Sequence, residues 1–195
     1  MTTDESAEAG EAQWAFVLDP AWRPESDEQN APLEAVLGAW YLEPDGTTGP
    51  FRANPYYLPS RENSPTDPVD AALQLLIDGA YDGDELLAVM RDALFGIALD
   101  EQGSAVVAPS PDDVPSVLVA TSPVHAHRVE VAAWQEITAK DLADSLPGEG
   151  VDVLLNPGAP ASMRVLASSL KGAVADVESG ARIPGGNPFE PPEQD

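Results

Sequence analysis

Cysteine is absent from this sequence of 195 residues. The chain therefore forms no disulfide, offers no thiolate to a metal ion and has no cysteine nucleophile. Because the chain has no disulfides, we predict a cytoplasmic protein, while a secreted protein without cysteine stays open as the alternative. The first residues, MTTDESAEAGEA, contain neither a basic region nor an apolar run, so we expect no signal peptide there.

Basic side chains are scarce, since Lys and Arg together number 9 against 34 Asp and Glu, for a formal net charge of -25. Such a chain is repelled by the phosphates of nucleic acids and by anionic lipids. We therefore expect no nucleic-acid partner, while a basic protein partner stays open. The apolar runs cover only a few residues each, so we also expect no membrane insertion.

Histidine is almost absent, and His125 and His127 are the only 2. Their spacing would put both on one side of a strand, which makes a metal pair conceivable, but no third ligand stands at a suitable spacing. We interpret them as loop histidines near the end of a strand. The G-x-S-x-G, P-loop and G-x-G-x-x-G patterns are missing too. The sequence thus predicts no catalytic residue, no bound metal and no cofactor.

Composition divides the chain into segments of different character. Residues 1–12 are acidic and carry no large apolar side chain, which predicts a disordered N-terminal tail. Residues 13–66 hold short apolar runs separated by Pro and Gly, which predicts a β-rich segment packed on the main domain. Residues 67–175 form that main domain. Residues 176–195 are rich in Pro, Gly and acids, which predicts a flexible C-terminal tail.

The main domain mixes helix and strand signals. Asp67 before Pro68 predicts the start of a helix, and Asp82 with Glu85 forms the capping box of a second. Strands are predicted for the apolar runs at 94–99, 105–108, 117–120, 131–137 and 152–155. Because strands and helices follow each other without a strict βαβ repeat, we predict an α+β fold, a mixed β-sheet with helices packed on it.

A possible binding turn follows the last predicted strand, Asp152–Leu155. Asn156-Pro157-Gly158 breaks the strand, and the spacing predicts that a helix begins at Pro160. The free N–H groups of such a helix could hold a carboxylate or a phosphate, which makes Asn156 and Gly158 candidate binding residues. The alternative is structural: Asn156 caps the turn, and Gly158 provides an unusual backbone angle.

Tryptophan supplies one further candidate. The sequence has 4 tryptophans, and Trp22 lies in the proline-rich run DPAWRP, where we expect it to be the most exposed of them. Exposed tryptophans are common anchors of protein interfaces. We therefore include Trp22 among the candidate binding residues, although tryptophans are more often part of a core.

Several runs taken together resemble a known family. LFGIALDEQG, VPSVLVATSP, EITAKDLADSLP and VDVLLNPGAPAS are similar to the SseB-like (enhanced serine sensitivity) N-terminal domain. WAFVLDPAWRP, LEAVLGAWYLEPDGTTGPFRANPYYLPS and SPTDPVDAALQLL are similar to proteins called type VII secretion system-associated in actinomycetes. The resemblance covers about residues 13–175 and excludes both tails.

The resemblance implies an SseB-like domain preceded by a β-rich extension, and a non-enzymatic accessory or adaptor role in type VII secretion. The partner would be a secretion component or substrate. Sulfur transfer, which the SseB name suggests, needs a reactive cysteine that this chain lacks. Two other hypotheses stay open. The net charge suits an immunity protein or dedicated chaperone for a basic secreted toxin, and the turn at Asn156 and Gly158 suits a small-anion-binding protein or an enzyme.

Overall fold

The structure, a computed structural model, describes residues 13–26, 29–43, 46–178 and 187–189. The predicted tail at 1–12 lies outside the described residues. The described strands are β1 (Gln13–Leu18), β2 (Val36–Leu42), β3 (Thr48–Ala53), β4 (Leu94–Leu99), β5 (Val107–Pro109), β6 (Pro115–Ala120), β7 (Ala133–Thr138), β8 (Asp152–Leu155) and β9 (Met163–Val165). The described helices are α1 (Pro68–Ile77), α2 (Gly83–Arg91), α3 (Pro123–Ala126), α4 (Ala139–Ser145) and α5 (Ala167–Ala173), with a short 3-10 helix at Leu33–Ala35.

The strands form two sheets. The N-terminal strands make a 3-stranded antiparallel sheet in the order β1-β2-β3. The other strands make a 6-stranded sheet in the order β7-β4-β6-β8-β9, and β5 pairs with β6 beside this path. Strands β6 and β8 run parallel, whereas the other described pairs are antiparallel. The predicted α+β class, a mixed sheet with packed helices, is confirmed.

The main core lies between the larger sheet and helices α1, α2, α4 and α5. Each helix presents an apolar stripe at helical spacing, and the central strands are apolar on both faces, as expected for a covered sheet. Fully buried members of this core are Leu73, Met90, Val119, Leu142, Leu155 and Leu170. Burying each of these side chains stabilises the fold by roughly 1.5–3 kcal/mol. No helix within the described residues is long and apolar enough to span a membrane.

The predicted helix starts are confirmed in atomic detail. The Asp67 side chain accepts hydrogen bonds from the backbone N–H groups of Val69 and Asp70 at the first turn of α1. At α2, Asp82 accepts from the N–H of Glu85, whose carboxylate accepts from the N–H of Asp82. These reciprocal bonds satisfy donors that a helix end otherwise leaves free.

The helix predicted from Pro160 is wrong. The chain forms a turn there and then strand β9, which pairs antiparallel with β8, and α5 begins only at Ala167. Arg164 in β9 forms ion pairs with Asp112 and with Asp152, each at 2.6 Å. Pairing with a sheet edge and these ion pairs override the helical spacing, because tertiary contacts outweigh intrinsic propensity.

The strand predicted at 105–108 also differs in its partner. Ala105 pairs back on Leu99 by an isolated bridge, as expected for a hairpin. The chain then leaves β4, and Val107–Pro109 pairs with β6 instead. A short strand can change partner in this way because each pairing involves few hydrogen bonds.

Residues 187–189, within the predicted C-terminal tail, belong to the described part of the chain. Phe189 is only 7% exposed and packs against Val36 and Ala39 of the smaller sheet. Its ring meets that of Phe16 edge to face, with 6.1 Å between centroids. Residues 179–186 and 190–195 lie outside the described part. The ring of Phe189, near the end of the chain, thus covers the sheet that the N-terminal strands form.

We predict that Phe189→Ala destabilises the protein by about 1.5–3 kcal/mol, the value of burying one such side chain. Urea unfolding followed by tryptophan fluorescence measures the loss. Leu58→Ala is the control, because Leu58 is 67% exposed and its truncation should change stability by less than about 0.5 kcal/mol. Equal stability of the two variants would contradict the packing of Phe189 on the sheet.

Candidate functional site

Asn156 joins the ends of the two parallel strands. It is fully buried, and its backbone adopts a left-handed angle, φ 49°. Its Oδ1 accepts a hydrogen bond from the N–H of Thr121 at 2.9 Å, and its Nδ2 donates to the Thr121 hydroxyl at 3.0 Å. Its own N–H donates to the carbonyl of Val119 at 2.8 Å. The side chain predicted to contact a ligand is therefore engaged in holding β8 beside β6.

Gly158 lies in the exposed turn after Asn156. Its φ of 77° favours glycine, whereas an added Cβ would meet no atom within 4 Å, so the backbone angle and not close packing requires glycine. The first N–H of α5, at Ala167, donates to the carboxylate of Asp152. The turn thus lacks the helix N-terminus on which the hypothesis of an anion site depended.

Trp22 is half-buried, as are Trp14, Trp40 and Trp134. The backbone N–H of Trp22 donates to the carbonyl of Asp19, a buried residue whose carboxylate accepts a hydrogen bond from the Tyr57 hydroxyl at 2.8 Å. Trp22 therefore sits on a segment tied to the smaller sheet. The structure does not bring Trp22 together with Asn156 or Gly158 at one site.

A buried carboxylate connects α1 to the larger sheet. Asp67 is 3% exposed, and its Oδ2 accepts hydrogen bonds from the hydroxyls of Thr121 at 2.6 Å and Thr66 at 2.8 Å, while its Oδ1 caps α1. Burial, followed by the nearby charge of Asp70, raises the pKa of Asp67 above its usual value. We call Asp67, Thr66, Thr121 and Asn156 the polar junction, because one chain of hydrogen bonds joins them.

His125 lies beside this junction on α3, and not on a strand or in a loop. Its Nε2 is 3.3 Å from Oδ1 of Asp70, but neither ring nitrogen has a hydrogen-bond partner among the described residues. The Ser122 hydroxyl donates to Thr66 instead. A serine nucleophile must be hydrogen-bonded to its histidine base, so these residues do not form a hydrolytic relay as they stand.

His127 is the C-terminal cap of α3 and is exposed. Both histidines therefore belong to a short helix after β6. They do not lie on one side of a strand, which was the arrangement that made a metal pair conceivable. Within residues 13–26, 29–43, 46–178 and 187–189, no group of three or more His, Cys, Asp and Glu side chains is placed to hold a metal ion.

A cavity of about 410 Å³ lies between the two sheets, and we call it the intersheet cavity. Its aromatic walls are Trp40 on β2, Phe51 on β3 and Trp134 on β7. The rings of Trp40 and Phe51 meet edge to face at 5.1 Å. A cavity of a few hundred Å³ with aromatic walls and a few polar groups is typical of a binding site.

Two glycines allow the aromatic walls to lie where they do. Gly38 on β2 faces the ring of Phe51, and a Cβ at Gly38 would overlap that ring. Gly96 on β4 faces Trp134, and a Cβ there would stand 3.2 Å from the indole. Each ring therefore packs directly on the backbone of the neighbouring strand, which fixes the shape of the cavity wall.

Charged groups complete the lining of the cavity. Arg52 on β3 forms an ion pair with Glu136 on β7, which connects the two sheets. The Arg52 side chain is 11% exposed, and its Nε is buried without a hydrogen-bond partner in the described part of the chain. Asp92, which follows α2, also lines the cavity and is exposed. Its carboxylate makes no hydrogen bond or ion pair with a described residue, and the neighbouring cation, Arg91, is itself paired with Asp176.

Sequence reasoning does not reveal this cavity. The lining residues come from β2, β3, β4, β7 and the ends of helices, and no short motif contains more than a few of them. The sequence holds one weak signal of the cavity wall. Gly38 and Gly96 lie inside strands, where glycine often marks the close approach of a ring or backbone.

We predict that Asn156→Ala destabilises the protein by about 2–4 kcal/mol, because it removes buried hydrogen bonds and puts alanine at a left-handed angle. Asn156→Gly loses the same hydrogen bonds without the angular strain, so it should be about 1 kcal/mol less destabilising. Chemical unfolding of both variants measures the difference. Alanine tolerated as well as glycine would contradict the structural role of the backbone angle.

We predict that wild-type protein loses stability relative to Asp67→Asn as the pH rises above about 4. The folded state holds the Asp67 proton more tightly than the unfolded chain, since its pKa is raised, so ionisation opposes folding. The loss should continue until the pH exceeds the folded pKa and then stay constant. Urea unfolding of both proteins from pH 4 to 8 measures it; the carboxylates other than Asp70, whose charge acts on Asp67, are common to both and cancel. A difference independent of pH would contradict the burial of Asp67.

In comparisons with known proteins, the chain matches no family model, no curated protein and no solved structure. The resemblance to the SseB-like family therefore stays a prediction based on the sequence runs that carry it. The fold described above and the intersheet cavity are the structural observations from which a function is inferred.

Proposed function

We propose that this protein is a cytoplasmic, non-enzymatic accessory protein of type VII secretion, which acts by binding another protein, either a secretion component or a substrate. The observation that supports binding is the intersheet cavity. Its walls bring Trp40, Phe51 and Trp134 together from both sheets, and aromatic side chains in pockets are frequent anchors for partner side chains. The SseB-like resemblance supports the association with secretion.

The geometry favours protein binding over the anion hypothesis. Asn156 uses its side chain within the polar junction, and the turn at Gly158 has no helix N-terminus beside it. A small anion would also approach a chain with a formal net charge of -25. The small-anion-binding protein or enzyme is therefore the weakest of the three proposals.

The second candidate is an immunity protein or dedicated chaperone for a basic secreted toxin. The charge supports it, since 34 acidic against 9 basic side chains steer a cationic partner toward the surface. The open carboxylate of Asp92 at the cavity supports it as well. Rescue of growth when the protein is coexpressed with a neighbouring toxin gene would favour this candidate over a general adaptor.

A charge reversal at the cavity tests the proposed function. We expect the purified protein to retain type VII secretion components or substrates in a pull-down, and Asp92→Arg to reduce that retention about fivefold or more, because the change reverses the charge beside the cavity. Binding is measured by quantitative mass spectrometry at low and at physiological salt.

Asp78→Arg is the matched control for this experiment. Asp78 is the exposed C-terminal cap of α1, just as Asp92 is that of α2, but it does not line the cavity. The two variants therefore have the same net charge and the same position at a helix end. Recovery of no secretion protein by wild type would contradict the adaptor role, and equal loss in both variants would contradict binding at the cavity.

A further inference from the structure

We infer that the intersheet cavity binds an arginine side chain that a protein partner presents on an extended segment. This inference deepens the proposed function, on which it rests, by naming the chemical group that the cavity recognises. It depends on the aromatic walls and on the balance of charge in the lining.

The walls suit a flat cation. Trp40 comes from the smaller sheet and Trp134 from the larger one, and Phe51 packs at 5.1 Å from Trp40. Indole faces attract cations through the quadrupole of the ring, and a guanidinium stacks on them more readily than an ammonium group does. The methylene stem of arginine would cover the apolar surface of the same walls.

The charge of the lining favours a cation over an anion. Arg52 is compensated by Glu136, which leaves Asp92 as an open carboxylate at the cavity. Asp67 also lines the cavity, but its oxygens already accept hydrogen bonds within the polar junction. An entering guanidinium would therefore meet an available carboxylate at Asp92, and the formal net charge of -25 would speed its approach.

The occupant is an arginine of a protein and not a free cation, because the proposed function on which the inference rests is protein binding. The Nε of Arg52 has no hydrogen-bond partner among the described residues, but it is buried beside the ion pair with Glu136 and is not exposed to a ligand in the cavity.

Calorimetry with matched peptides tests the inference on the purified protein. The probe is acetyl-Gly-Gly-Arg-Gly-Gly-amide, and the comparison peptides carry citrulline, lysine or glutamate in place of arginine. Citrulline keeps the shape of arginine without its charge. We expect the citrulline peptide to bind about tenfold more weakly or worse, the lysine peptide to bind more weakly than arginine, and the glutamate peptide not to bind.

Variants then locate the binding. Asp92→Asn should weaken the arginine peptide about two- to fivefold, the size of one exposed ion pair, whereas Asp78→Asn should leave it unchanged within error. Amide NMR spectra of each variant establish that the fold is retained. Equal binding of arginine and citrulline, preference for glutamate or lysine, or equal loss in the two variants would each overturn the inference.

The two proposals can fail separately. If the arginine peptide binds as expected but no secretion protein is retained, the chemistry of the cavity stands and the assignment to secretion falls. If secretion proteins are retained and lost with Asp92→Arg while the peptide does not bind, the proposed function stands and arginine recognition is wrong.

Discussion

One buried carboxylate, that of Asp67, holds together the parts of this fold that are far apart in the chain. Its Oδ1 caps α1, and its Oδ2 accepts hydrogen bonds from the hydroxyls of Thr66 and of Thr121 at the end of β6. Thr121 in turn is bonded to Asn156 at the end of β8. A carboxylate out of water is costly unless its lone pairs are satisfied, so α1 and both parallel strands must meet at this point. Asp67 also lines the intersheet cavity, which means that the same junction helps to fix the position of the binding surface.

The cavity lies between two sheets that are in contact but remain separate sheets. Arg52 on β3 and Glu136 on β7 form an ion pair between them, and both line the cavity together with the aromatic walls. Phe51 can approach the backbone of β2 only because Gly38 carries no side chain, and a Cβ at Gly96 would crowd Trp134 at 3.2 Å. The smaller sheet is therefore more than an appendage to the main domain: without it the cavity would have one wall.

Local signals predicted local structure well. The caps at Asp67 and Asp82 depend on residues within one helical turn, which are adjacent in the sequence, and the continuous apolar run at Asp152–Leu155 is enough to indicate a buried strand. Strand β9 was unpredictable in this way, because Arg164 is drawn into the sheet by partners distant in sequence. The packing of Phe189 on the smaller sheet and the approach of aromatic side chains across the cavity could not be predicted for the same reason, since their partners lie elsewhere in the chain. Asn156 was recognised as unusual, but only the structure shows that its amide is used internally.

The most direct test of a cavity that receives an arginine is to observe the contact itself. Intermolecular NMR measurements can detect contacts between the side-chain methylene protons of an arginine peptide and the indole protons of the protein. The account predicts contacts to both Trp40 and Trp134, one from each sheet, with none to Trp22. Contacts scattered over the acidic surface, or to a single sheet only, would contradict it.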